Sequence, residues 1–127
     1  MPALSFKAQF APLVESGQKR QTIRAWRKRP IKVGQRLYLY AGMRTKACRK
    51  LGESECTEAI PIEIQGYSWD ARLGQVVLWH EFLLWQYEVR QIAVADGFET
   101  VEEFFKFFSP DGEKFEGQLI KWGDPIS

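Results

Sequence analysis

Cysteine and histidine are nearly missing from this chain, with two of the first and one of the second in 127 residues. Two cysteines, Cys48 and Cys56, are too few for a disulfide scaffold. The seven residues between them match no standard zinc knuckle, and no second Cys/His pair follows, so no metal site is expected. His80 lies in an apolar run, where a histidine bonded to a backbone partner is a commoner outcome than a catalytic base. A Gly-rich loop of the Walker or dinucleotide kind is also lacking, and no cofactor is expected. The longest apolar stretch, Gln75 to Tyr87, is broken by His80 and Glu81 and is too short to span a bilayer. Met1-Pro2-Ala3 leads straight into an alternating pattern instead of a secretory leader, which points to a cytoplasmic protein with no membrane partner.

Acidic residues are missing from one part of the chain only. Between Ser16 and Gly52 there are 12 of the 18 Lys/Arg and no Asp or Glu, whereas Glu53 to the end holds 15 acids and 5 Lys/Arg. Such asymmetry predicts a basic face on an acidic body. Phosphate is the natural partner of that face, since neutralising it releases counterions; a solvated loop without a ligand is the plainer alternative. Aromatics are plentiful, with 5 Trp, 4 Tyr and 9 Phe, enough to fill a small core or to stack on bases. Internal repeats, low-complexity segments and linkers are lacking, so residues 1–127 are read as a single domain.

Periodicity predicts the elements. Leu4, Phe6, Ala8 and Phe10 alternate with polar residues as in a half-buried strand. Pro12 to Ser16 suits a short helix, ended by Gly17 in the left-handed conformation. Gln21 to Ala25 and Arg36 to Tyr40 read as strands. Gly42 to Ser54, carrying Arg44, Lys46, Arg49 and Lys50, reads as a basic loop. Thr57 to Tyr67 is strand-like, with Pro61 suggesting an edge or a bulge. Tyr67 to Gly74 reads as a turn-rich connection and Val76 to Leu84 as a further strand. Tyr87 to Asp96 has helical spacing and a stop at Gly97; Thr100-Val101-Glu102-Glu103 is a capping box opening a helix through Phe108. Gln118 to Trp122 closes the chain as a strand. The order β-α-β-β-β-β-α-α-β is that of an α+β domain, a small mixed sheet or barrel with helices at its ends.

The most pointed stretch is Gly17 to Arg24. Lys19, Thr22 and Arg24 stand at offsets of zero, three and five where a helix gives way to a strand. Alternation puts Thr22 and Arg24 on one face and Ile23 on the other, with Lys19 able to reach over the polar face. A hydroxyl flanked by two cations can hold an anion. It can also become a nucleophile if the lysine's proton affinity is lowered by burial or by neighbours such as Arg20 and Arg24. Spacing leaves both open. Beyond it, Trp26 is interleaved with Arg24, Arg27, Lys28 and Arg29, the composition of a single-strand or nucleotide site. The Phe104, Phe105, Phe107 and Phe108 cluster reads as helix core.

Three blocks also resemble the ASCH domain, a family of PUA-like fold: Gly17-x-Lys19-x-x-Thr22-x-Arg24 with Val33-Gly34-x-x-Leu37; Ile92-Ala93-x-x-Asp96-Gly97-Phe98 running on to Phe105; and Leu119-Ile120-x-Trp122. The resemblance implies a PUA-like mixed β-barrel with short flanking helices and a link to RNA. One branch comprises small bacterial N4-acetylcytidine amidohydrolases, whose catalytic set is a lysine, a threonine three residues on and a glutamate. Carried over, these positions are Lys19, Thr22 and Asp96, the last an aspartate one carbon shorter. Together with the basic residues read above, the resemblance implies a protein binding RNA or a modified nucleoside through a basic cleft lined by Lys19, Arg24, Trp26, Arg27 and Arg29, with Arg20 a further binding candidate. The alternative it implies is deacylation of N4-acylated cytidine by Lys19, Thr22 and Asp96. Ribonuclease activity is a lesser reading, because the basic segment carries neither a histidine pair nor a metal-binding acid cluster.

Overall fold

The computed structural model describes residues 2–67 and 69–126. In chain order the elements are β1 (Ala3–Phe6), α1 (Ala11–Glu15), β2 (Gln21–Ala25), β3 (Arg36–Ala41), β4 (Arg49–Tyr67), β5 (Asp70–Leu78), β6 (Phe82–Leu83), α2 (Gln86–Ala95), α3 (Val101–Phe108) and β7 (Phe115–Trp122). The protein is a sheet-dominated α+β fold with short helices.

Strand β4, 19 residues long, is the spine of the sheet. Its first part pairs antiparallel with β3, from Ala41 opposite Arg49 to Arg36 opposite Glu55. Its middle pairs with β7 between Cys56 and Ile64, and its last part with β5 between Ile62 and Tyr67. Register shifts at Leu39/Tyr40, Cys56/Glu58 and Gly66/Tyr67 let one strand serve three neighbours, since a bulge bends its strand and steepens the twist. Strand β1 adds parallel to β3, and β2 adds antiparallel to β7. Among the described residues no backbone ladder joins β1 to β2, so the sheet stays open there. Side chains span the gap instead: Arg24 Nη2 donates to the Ser5 carbonyl at 2.6 Å and Arg27 Nη1 to the Ala3 carbonyl at 3.4 Å.

Several sequence expectations are corrected. The first strand stops at Phe6, and residues 8–10 turn into α1. The basic stretch from Gly42 to Ser54 is a loop only to Cys48, because β4 has begun at Arg49. Of the expected connection from Tyr67 to Gly74, Ser68 lies outside the described residues and Asp70 to Gly74 already belongs to β5, paired antiparallel with β4. Strand β5 ends at Leu78; a tight turn through Trp79 and His80, both at positive φ, leads to the extra strand β6. Pro61 lies in the spine strand, where the β5 ladder runs out. Its carbonyl accepts from Trp79 N at 2.9 Å, so its missing N–H faces that same side and interrupts no β7 pairing.

The core lies between the sheet and the helices. Ile62, Ile64 and Val76 from β4 and β5, with Leu119 and Ile120 from β7, meet Phe104 and Phe105 of α3. Phe104 sits edge-on to Phe98, Phe105 and Phe108 at 5.2–5.7 Å, the preferred geometry of packed aromatic rings. Two glycines then deliver the chain to one place. Gly17 (φ 83°) ends α1 just before Lys19, and Gly97 (φ 100°) ends α2 just after Asp96, each in the left-handed conformation that other residues resist.

Candidate functional site

Lys19 enters β2 with its backbone N–H donating to the Leu13 carbonyl of α1 at 2.9 Å, which fixes the start of its side chain. From there Nζ reaches the C-terminus of α2, 77 residues away, and donates to the Asp96 main-chain carbonyl at 2.5 Å. The same Nζ stands 3.1 Å from Asp96 Oδ1. Lys19 is 2 % exposed and Asp96 4 %. The cation therefore occupies the negative end of the helix dipole, while the carboxylate at that end is held by the cation and not by the helix. Gln21 completes the arrangement: its Nε2 donates to the Ile92 carbonyl at 3.1 Å and to Asp96 Oδ1 at 3.4 Å.

Burial works against both charges. Loss of solvent pulls the Lys19 ammonium below its ordinary range, opposed by Asp96. The same loss pushes the Asp96 carboxyl above the ordinary carboxylate range, opposed by Lys19, Gln21 and Arg24. Arg24 adds slightly to the lowering of Lys19, whereas Arg20, expected to share that role, turns outward to Asp124 at 2.5 Å.

Thr22 and Arg24 share a face of β2, as strand alternation requires. Arg24 Nε donates to Thr22 Oγ1 at 3.1 Å, and the guanidinium lies 4.8 Å above the Phe6 ring. Thr22 is buried. Because its oxygen accepts from Arg24, its own proton is left to donate elsewhere. Among the described residues no hydrogen bond joins Lys19 Nζ to Thr22 Oγ1; what unites them is a common cavity of about 170 Å³, which Lys19, Thr22, Arg24 and Asp96 all line. Phe6 and Phe10 face the Lys19 ammonium at 6.0 and 5.1 Å, and Lys7 stacks over Phe107 at 4.8 Å among the lining residues.

Arg24 also lines a second, more open cavity of about 490 Å³ with Arg27 and Arg44. Arg27 continues into a third, of about 480 Å³, with Lys28 and Arg29. Five of the eight residues singled out in the sequence thus converge along one surface: Lys19, Thr22, Arg24 and Asp96 in the deep cavity, and Arg27 from Arg24 outward. Arg29 lies farther along the third cavity. Trp26 is 44 % exposed but lines neither basic cavity, and Arg20 lies apart from all three.

His80 is on a turn, 3.6 Å from Glu63 Oε2, with its side chain 65 % exposed, and not in the apolar interior that its run suggested. Of the phenylalanine cluster, Phe104 and Phe105 are core, whereas Phe107 and Phe108 line the deep cavity. Sequence reasoning missed Gln21, which reads as an ordinary strand residue, and Arg44, noticed only as part of a basic loop. Cys48 is exposed and Cys56 buried, both as free thiols, and among the described residues no three His, Cys, Asp or Glu gather as metal ligands. No helix among the described residues is long and apolar enough to cross a membrane. No family model matches this chain, and neither a curated protein nor a solved structure is significantly similar to it.

Proposed function

We propose that this chain is an ASCH-type protein, its sheet an incompletely closed PUA-like barrel, that takes RNA or a modified nucleoside into a basic cleft. The observation that carries this reading is the position of Arg24, which lines both the deep Lys19–Thr22–Asp96 cavity and the open basic cavity beside it. The two differ in what they suit. A space of about 170 Å³ is below the roughly 300–1,000 Å³ of pockets for drug-sized ligands. It suits one ring or its acyl substituent, in the manner of a base taken out of its stack. Arg27 and Arg44 outside it suit the phosphates. Filter-binding or fluorescence titration of single-stranded RNA at two salt concentrations tests the reading: affinity falls steeply with salt and is lost in Arg24→Ala. Absent or salt-independent binding refutes it.

A second reading is favoured by one local feature, the Thr22 hydroxyl. Its oxygen is held by Arg24, and its proton is free to leave toward a base. In N4-acylcytidine hydrolysis Thr22 Oγ1 would attack the acyl carbonyl, with neutral Lys19 accepting the hydroxyl proton. The C–N bond would then break as the cytosine nitrogen takes that proton back, and water would release the acyl group from Thr22. Burial supports the lysine's part, because it brings the neutral amine and the protonated Asp96 closer in energy to the ion pair. Acetate release from N4-acetylcytidine that disappears in Thr22→Ala supports this reading; unchanged turnover in that variant removes it.

A further inference from the structure

A separate cavity of about 340 Å³ opens between β5, the segment after β6, and the first turns of α2 and α3. It shares no lining residue with the Lys19 cavity. Its apolar wall is made by Leu84, Val89, Val101 and Phe105, and two arginines, Arg72 and Arg90, are among the lining residues. The Phe105 ring forms part of the wall because β5 carries no side chain at Gly74; a Cβ there would stand 2.6 Å from Phe105 Cε1. Asp70 holds Arg72 from one side, accepting from Nε and Nη2 at 3.1 Å each. That pairing pre-sets the guanidinium plane; among the described residues Nη1 makes no hydrogen bond, and the Glu102 carboxylate of α3 also acts on this cation. Arg90, exposed on α2 one turn beyond Gln86, adds a second cation.

An apolar wall facing two arginines is complementary to a ligand with a hydrophobic body and a single anionic head. The volume lies at the small end of the range for organic ligands. We propose that this cavity is a second binding site, for a small amphipathic monoanion whose aromatic or aliphatic body packs on Phe105 and Leu84 and whose head group bridges Arg72 and Arg90. The inference does not depend on the nucleoside reading, since none of its residues serves that site.

Isothermal titration calorimetry of the full chain with 3-phenylpropionate, its neutral amide and phenyl phosphate tests it. The acid binds at sub-millimolar concentration and the amide at least about tenfold more weakly, a difference of about 1.4 kcal/mol. The tighter of the carboxylate and the phosphate names the head group. Arg90→Ala, an exposed position, weakens the acid about tenfold with an unchanged melting temperature, and Arg90→Lys restores only part of the loss because an ammonium cannot form the paired bonds. Equal affinity for acid and amide, wild-type affinity in Arg90→Ala, or no binding of either anion below about 10 mM overturns the proposal.

Discussion

The Lys19–Asp96 pair provides the most demanding test of the electrostatic argument. Each partner is almost wholly buried, so removing either one alone strands the other. Lys19→Met deprives the Asp96 carboxylate of its cation and the Asp96 carbonyl of a donor at 2.5 Å, while Gln21 remains beside Oδ1. Asp96→Leu leaves Lys19 with the carbonyl but no counter-charge. Breaking a buried pair from one side costs about 3–5 kcal/mol. The Lys19→Met value should fall at the lower end, because Asp96 already leans toward its neutral form and can protonate. The double variant removes both charges together, and replacing a buried pair by apolar residues is neutral or stabilising by about 1–4 kcal/mol. Urea unfolding at neutral pH should therefore find each single variant well below the wild type and the double variant equal to it or above it. Additive losses, with the double variant worse than either single, would show that the two groups contribute independently and that neither strands the other, and the reasoning would fail.

The shifts also fix the sign of a pH dependence. Asp96 has a raised folded pKa, so its contribution to stability falls as pH climbs from the unfolded carboxyl value of about 3.9 to the folded one. Lys19 has a lowered one, so its contribution rises from the folded value up to about 10.4. At neutral pH the pair sits in the trough between these limbs, and the Lys19→Met/Asp96→Leu variant should show a flatter stability profile by urea unfolding across pH. A double variant with the wild-type profile would contradict this assignment. Replacing Trp79 and His80, both in the left-handed region within the three-residue turn between Leu78 and Phe82, by Asn and Gly, which adopt positive φ more readily, should raise stability by about 1–2 kcal/mol. Calorimetry should show that as a higher melting temperature. Arg27→Ala and Arg29→Ala should each lower the slope of log affinity against log salt for single-stranded RNA by about 0.7 if each neutralises one phosphate. Thr22→Val keeps the strand and loses the hydroxyl, so acetate release should vanish while RNA affinity changes little.

Much of the fold was legible where a side-chain period and a terminator agree. Gln21 to Ala25 is a strand with the expected bounds, and Thr100 caps α3 by accepting from Glu103 N at 3.1 Å. Readings failed where partners elsewhere in the chain decide. Arg49 to Glu53 is charged and aperiodic, yet it is strand because β3 offers it a ladder from Tyr38 to Ala41. Gly74 reads as turn punctuation, but it lies within β5 so that Phe105 can approach the backbone. The turn at Trp79 and His80 lacks the Asn or Gly that positive φ normally calls for, so the apolar run hid it. The site was half legible. Alternation predicted that Thr22 and Arg24 share a face, but only the three-dimensional fold brings Asp96 across 77 residues to Lys19. The sheet is left open between β1 and β2, which among the described residues are linked by arginine side chains and by no backbone ladder.

We propose that the deep cavity and the basic cleft form one ligand site joined by Arg24. An NMR titration of the isotopically labelled chain with the 5′-monophosphate of N4-acetylcytidine tests it most directly. Concerted shifts, with one affinity, are expected at the backbone amides of Thr22, Arg24 and Asp96 inside and of Arg27 and Arg44 outside. Shifts confined to the outer arginines, or none at all, would contradict it.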